Sequence, residues 1–270
     1  MSATAVSSRT MYLPEILAHT RAVVAERKQT ADVAALERAA HAHTPRGFAQ
    51  ALRAKAQHGP AIIAELKKAS PSKGLIRAEF DPAALALEMQ DAGAATLSVL
   101  TEEKFFQGSL NNLRLASTAA SLPCLRKDFM VDPFQIVEAR AHGADAILLI
   151  VAALTDAELR TLRDEARRYS LDVLCEIHDA DELERALPLE CECIGVNSRD
   201  LRTFEVSLDR AAELAARLPA SAVRVAESGI RTRADIDRLR SAGYDAFLIG
   251  ESLMRQPRPG EALRKLVNSE

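Results

Sequence analysis

The stretch "HGADAILLI", His142 to Ile150, packs a helix end and a buried strand into one short phrase. Gly143 stands where a helix closes on a left-handed residue. "AILLI" is the unbroken apolar run that a parallel strand, covered on both faces, requires. The unit recurs: "AGAATLSVL", Ala92 to Leu100, and "AGYDAFLIG", Ala242 to Gly250, repeat the order of helix, glycine and strand. Working outward, β-like runs at 61–67, 96–101, 124–129, 146–151, 172–177, 193–197, 224–227 and 246–249 alternate with amphipathic helical stretches. Asp81-Pro82 and Asp132-Pro133 open two of these helices with proline at the first helical position, and Thr155-Asp156 and Ser207 open two more.

Eight alternating units leave two α/β architectures. A doubly wound sheet normally has fewer strands and a G-x-G-x-x-G turn after the first, and that motif is absent. The count suits a closed (β/α)8 barrel, a TIM barrel, preceded by an N-terminal helical extension over about 10–58. Within the extension, 15–38 reads as one helix and 48–57 as a second. No linker or low-complexity segment divides the chain, so one domain over 1–270 is expected. The extension has two readings: a cap on the barrel's bottom, or a cover on its open face that contacts the substrate, and the second is favoured.

The chain has 270 residues and a formal net charge of −3, without a basic stripe or aromatic-interleaved patch, which argues against nucleic acid as a partner. No apolar run approaches the roughly 20 residues of a membrane span, and the N-terminus lacks signal-peptide character. Cys124, Cys175, Cys191 and Cys193 read as reduced structural thiols of a cytoplasmic protein.

Chemistry in this architecture sits at the C-terminal ends of the strands. "AIIAELKK" carries Glu65 and Lys67 out of the first strand, and a side-chain period of two makes them face the same way. Lys68 faces the other way, towards the helical shell. The third strand ends in Arg126, Lys127 and Asp128, the fifth in Glu176, and the sixth is followed by Asn197 and Arg199. Each charge alone could mark a strand reaching solvent, but lysines from two strands and glutamates from three converge on one mouth. Apolar walls and neighbouring cations lower a lysine pKa and carboxylates oppose that, so Lys and Glu together supply a general acid and a general base. His178, beside Asp179 at a helix start, reads as a cap neighbour. No metal-ligand spacing or nucleophilic triad competes. "AESGI" and "IGESL", after strands seven and eight, each place glycine and small polar residues before a helix. That arrangement makes a phosphate cradle.

"AELKKASPSKG", "SVLTEEKFFQGS", "LRKDFMVDPFQIVEARAHGADAILLI", "VLCEIHD", "IGVNSRDLRTFEV", "VAESGI" and "FLIGESLM" together resemble the indole-3-glycerol-phosphate synthase family, from near Met11 to about Leu266. The resemblance implies a lyase of tryptophan biosynthesis. Its substrate would be 1-(2-carboxyphenylamino)-1-deoxyribulose 5-phosphate, closed to indole-3-glycerol phosphate with loss of carbon dioxide and water and without organic cofactor or metal. By the same resemblance Lys127 is the general acid at the C2′ oxygen. Lys67 contacts the substrate carboxylate and donates in the dehydration, Glu176 is the base, Glu65 holds Lys67, and Asn197 positions the reacting groups. Ser70, Arg199 and Glu227 are further polar positions, and Phe106 and Phe129 wall the anthranilate ring. Ser228, Gly229, Gly250, Glu251 and Ser252 form the cradle. Glu251 replaces a serine of other members, so only its backbone should face a phosphate, its side chain turned away.

The expected partner is a phosphorylated small molecule, and the expected state a monomer, at most weakly associated with other enzymes of tryptophan biosynthesis. Phosphoribosylanthranilate isomerase, a barrel of the same pathway, is a rival reading, but it would need a Cys/Asp acid–base pair that no strand end supplies. A non-catalytic barrel subunit is a second rival, and the presence of Lys127, Glu176 and Lys67 argues against it.

Overall fold

The computed structural model describes residues 12–200 and 205–268. Residues 10 and 11 of the expected extension, and 201–204 of the "IGVNSRDLRTFEV" match, lie outside the described residues. The strands are β1 (Ala61–Leu66), β2 (Thr96–Leu100), β3 (Cys124–Lys127), β4 (Ala146–Ile150), β5 (Asp172–Ile177), β6 (Cys193–Asn197), β7 (Val223–Glu227) and β8 (Ala246–Ile249). Each pairs in parallel with the next, and β8 returns to β1, Ala61 opposite Ala246, closing a TIM barrel. Burial on both faces explains the unbroken apolar runs. Ile62, Ala64 and Leu66 pack with the surrounding helices, whereas Ile63 packs with Leu125, Leu148, Leu174, Val225 and Leu248 inside the barrel.

The crossovers are α4 (Pro82–Asp91), α5 (Leu110–Ala119), α6 (Phe134–Ala141), α7 (Asp156–Arg168), α8 (Ala180–Ala186), α9 (Leu208–Ala215) and α10 (Arg233–Ala242). After β8 come a single turn, α11 (Glu251–Met254), and then α12 (Pro259–Val267). Asp81 caps α4, and Thr155 closes a capping box with Glu158 at α7. Ser207 precedes α9 but makes no capping bond. Gly93, Gly143 and Gly243 have φ of +93°, +83° and +113°, the left-handed close that the repeated phrases require. Among the described residues no helix is long and apolar enough to cross a membrane.

Two local expectations change. The extension is three helices, α1 (Tyr12–Thr30), α2 (Val33–Ala42) and α3 (Phe48–Ala56). The helix expected over 15–38 breaks because Asp32 accepts the Ala35 N–H at 2.9 Å and starts a new one. The "SPSKG" loop folds back as a short hairpin, Ala69–Ser70 against Gly74–Leu75. The extension reaches both ends of the barrel. Phe48 and Leu52 of α3 are fully buried beneath the barrel interior, and Ala49 N–H donates to Asp172 at the start of β5 at 2.8 Å. Leu13 and Ile16 of α1 lie at the opposite end, on the open mouth.

Candidate active site

The inward-facing side chains change character along the barrel axis. Above the apolar plug lies a cavity of about 960 Å³ at the C-terminal ends of the strands. Glu65, Lys67, Ser70, Phe106, Lys127, Phe129, Glu176, Asn197, Arg199, Glu227, Ser228, Gly229, Gly250, Glu251 and Ser252 all line it. Leu100, Leu148, Ile150 and Leu248 give it an apolar floor, and Lys68 is not among the lining residues.

Of the three charges ending β3, Lys127 and Asp128 line the cavity, and Lys127 alone pairs with the glutamates of the mouth. Arg126 is fully buried on the outer face, held by Asp128 at 2.8 Å and by Glu138 at 3.4 Å. Lys127 Nζ lies 2.9 Å from Glu176 Oε2 and 3.7 Å from Glu227 Oε2. Lys67 pairs with Glu65 on β1, as the two-residue period requires. Asn197 Oδ1 accepts the Arg199 backbone N–H at 3.0 Å. Phe106 and Phe129 face each other with ring centroids 6.2 Å apart and form an apolar wall.

This geometry settles which way the lysine moves. Burial would push Lys127 down, but Glu176, Glu227 and Glu65 outweigh it and hold the ammonium above its ordinary range. Burial would likewise raise Glu176, yet Lys127, His178 and Asn197 bring it down to about 2. Glu227 goes the other way. Burial, reinforced by the Glu176 charge, pushes it well above the carboxylate range, and its Oε1 has no hydrogen-bond partner. The mouth therefore holds a charged Lys127 and an ionised Glu176 at neutral pH, beside a Glu227 pushed towards its protonated form.

The two glycine turns form one wall. Ser228 and Gly229 have φ of +65° and +79°, and a left-handed serine is an uncommon, strained conformation. "AESGI" does not open its helix directly, because α10 starts only at Arg233, after the Thr232 cap. Gly250, by contrast, immediately precedes the one-turn α11, the short extra helix often found beside phosphate sites in this architecture. Ser252 Oγ donates to Ile230 O at 3.3 Å and ties the turns together. Glu251 turns its carboxylate to Arg255 at 3.1 Å and to Arg199 at 3.8 Å.

Sequence reasoning missed two sets of residues. Leu13 and Ile16 line the cavity from α1, and nothing separates them in sequence from ordinary helix-packing residues. His178 is buried, with Nε2 3.6 Å from Glu176 Oε1, a contact its place at a helix start does not disclose.

A family model described as indole-3-glycerol phosphate synthase matches residues 13–266. A protein of that name from Koribacter versatilis is 62% identical over 94% of this chain and 98% of its own length. Another, from Acidithiobacillus ferrooxidans, is 51% identical over 94% of this chain and 97% of its own. Among solved structures, KGPDC from Streptococcus mutans has a TM-score of 0.59 at 11% identity, covering 77% of this chain and 96% of its own. Thiamine phosphate pyrophosphorylase from Pyrococcus furiosus has a TM-score of 0.58 at 13% identity, covering 77% and 93%. At such identities the structural likeness speaks for the barrel alone.

Proposed function

The chain belongs to the indole-3-glycerol phosphate synthase family, carboxy-lyases of tryptophan biosynthesis, and we propose that its lysine–glutamate cluster carries the ring closure. The substrate is 1-(2-carboxyphenylamino)-1-deoxyribulose 5-phosphate. Its phosphate lies on the backbone N–H groups of the Ser228-Gly229 and Gly250-Glu251 turns, with Ser252 holding the turns together. Its anthranilate ring lies against Phe106 and Phe129. The ring carbon that bears the carboxylate attacks the C2′ carbonyl, and Lys127 delivers a proton to the C2′ oxygen. Carbon dioxide leaves and aromaticity returns. The C2′ hydroxyl then departs as water with a proton from Lys67, and Glu176 takes the proton lost from the substrate. Glu65 holds Lys67, Asn197 orients Glu176, and Ser70, Arg199 and Glu227 bind the polar chain.

The observation that carries this reading is the buried Lys127–Glu176 pair, 2.9 Å apart between an apolar floor and the glycine turns. A charged lysine and an ionised glutamate are the protonation states that an acid step followed by a base step needs. They are stored as an ion pair, and a substrate oxygen reaching Lys127 frees Glu176 for the second step. Placement in the cytoplasm accords with four buried, unpaired cysteines. Purified protein supplied with the carboxyphenylamino substrate should develop indole fluorescence. No product from folded protein rejects the reading.

A further inference from the structure

The base has a second neighbour that the proposed chemistry does not use. Beyond the end of β5 the His178 ring stands between two carboxylates. Its Nδ1 lies 3.1 Å from Glu182 Oε2, and that oxygen also accepts the His178 backbone N–H at 2.8 Å. The other ring nitrogen, Nε2, is buried without a hydrogen-bond partner and lies 3.6 Å from Glu176 Oε1. Lys127 holds the opposite oxygen, Oε2. Glu176 is therefore flanked by a cation on one oxygen and an imidazole nitrogen on the other.

The protonation of the ring follows from its surroundings. A neutral imidazole carries one N–H. With that N–H on Nδ1 towards Glu182, the Nε2 lone pair would point at an ionised Glu176. Only the imidazolium offers an N–H to each carboxylate. The charged groups facing the ring are Glu182 from α8, Glu176 from its own strand and Lys127 from β3. Burial would make the ring less basic and Lys127 adds to that, but the two glutamates win and raise its pKa.

We propose that His178 is a positioning residue for the base: clamped by Glu182, it presents Nε2–H to Glu176 Oε1, fixes the carboxylate plane and keeps it ionised. The inference rests on Glu176 being the base. Once substrate engages Lys127, His178 is the cationic neighbour that stays with Glu176. At 3.6 Å Nε2 stands just outside hydrogen-bond distance and acts through its charge, and such contacts often tighten when substrate binds.

The test is the pH dependence of kcat, which reports the substrate complex in which Lys127 no longer pairs with Glu176, from about pH 3 to about pH 9 for wild type, His178→Ala, His178→Gln and Glu182→Gln, with Glu176→Gln as reference. An opposite charge at this distance moves a carboxylate by about one pH unit or more. His178→Ala should therefore move the acid limb upward by about one unit, so that turnover at its foot falls about tenfold. On the alkaline plateau the loss should stay below about threefold, and KM should hold within about twofold. His178→Gln, a neutral donor of similar reach, should recover the plateau but not the limb. Glu182→Gln should shift the limb the same way by less. Superimposable acid limbs, or an equal loss at every pH, overturn the proposal. If His178→Ala does not fold, the ring-nitrogen NMR shifts of wild-type His178 decide: two protonated nitrogens at neutral pH support it, and a neutral Nδ1–H tautomer overturns it. Full turnover in Glu176→Gln would instead reject the assignment of the base.

Discussion

Replacing Lys127 by Met removes one of two lysines from a cluster that also holds Glu65, Glu176 and Glu227. The cost is read from Glu176, held at about 2 against an ordinary 4.5 and only 2% exposed. That difference is worth about 3 kcal/mol, of which Lys127 supplies the largest share. The sign follows from the direction. A carboxylate whose pKa is lower in the folded chain stabilises it above the unfolded value, and the contribution fades as pH falls towards the folded value. In the Met variant burial acts with less opposition, and the remaining charge is poorly compensated. The melting temperature should drop by roughly 6–12 °C at pH 8, for a cost of about 3 kcal/mol in a chain of this size. The gap should persist at pH 5 and narrow only below about 4.5, towards pH 2, as the carboxylate regains a proton. Turnover should fall about a hundred- to ten-thousand-fold. Thermal melts across pH, paired with the fluorescence assay, read both effects. Wild-type melting at every pH would mean that the pair does not compensate Glu176, and turnover within tenfold of wild type would reject Lys127 as the acid.

Gly250→Ala should cut turnover about tenfold or more through Glu65, because its Cβ would stand 2.3 Å from Glu65 Oε1 and displace the partner of Lys67. Wild-type kinetics in that variant would show that Glu65 has room to move. Phe106→Ala should raise KM about tenfold, from about 1–2 kcal/mol of lost ring contact, with kcat less affected; an unchanged KM would place the anthranilate ring elsewhere. Leu52→Ala should cost about 2–5 kcal/mol while leaving kcat unaltered, since Leu52 is buried at the end of the barrel away from the cavity. Leu13→Ala should do the reverse, raising KM a few-fold with little change in melting, because Leu13 lines the mouth from α1.

The barrel is legible in the sequence because its physics is local. A strand buried on both faces must be apolar throughout, and a helix closing before it needs a left-handed residue, so Gly93, Gly143 and Gly243 punctuate the repeats. The mouth is legible for the same reason: a period of two carries Glu65 and Lys67 to one face. What sequence leaves open depends on distances between strands. Apolar walls argue for a lowered lysine pKa, and only the convergence of Glu176, Glu227 and Glu65 on Lys127 reverses that direction. His178 looks like a helix-start neighbour because its bond to Glu182 is local, whereas its approach to Glu176 Oε1 is set by ring orientation. The break between α1 and α2 had its signal in Asp32, masked by alanines that carry the helical pattern through.

The outer layer explains how Lys127 is held in place. Arg126, beside Lys127, is fastened on the outer face: it donates to Asp128 at 2.8 Å, to Gln135 O at 2.8 Å and to Thr101 at 3.1 Å. The same guanidinium approaches Glu138 Oε2 at 3.4 Å, and Arg27 of α1 meets that oxygen at 3.3 Å. Nearby, Lys28 of α1 pairs with Asp132, in the loop after β3, at 3.1 Å. α1 is therefore anchored to the strand that carries Lys127 by the turn opposite to the one that places Leu13 and Ile16 over the mouth. A buried guanidinium with its partners satisfied resists rotation, because each donor turned away leaves an unpaired polar group in the core. Movement of the α1 cover and displacement of Lys127 are thus opposed by one shared network, centred on Glu138.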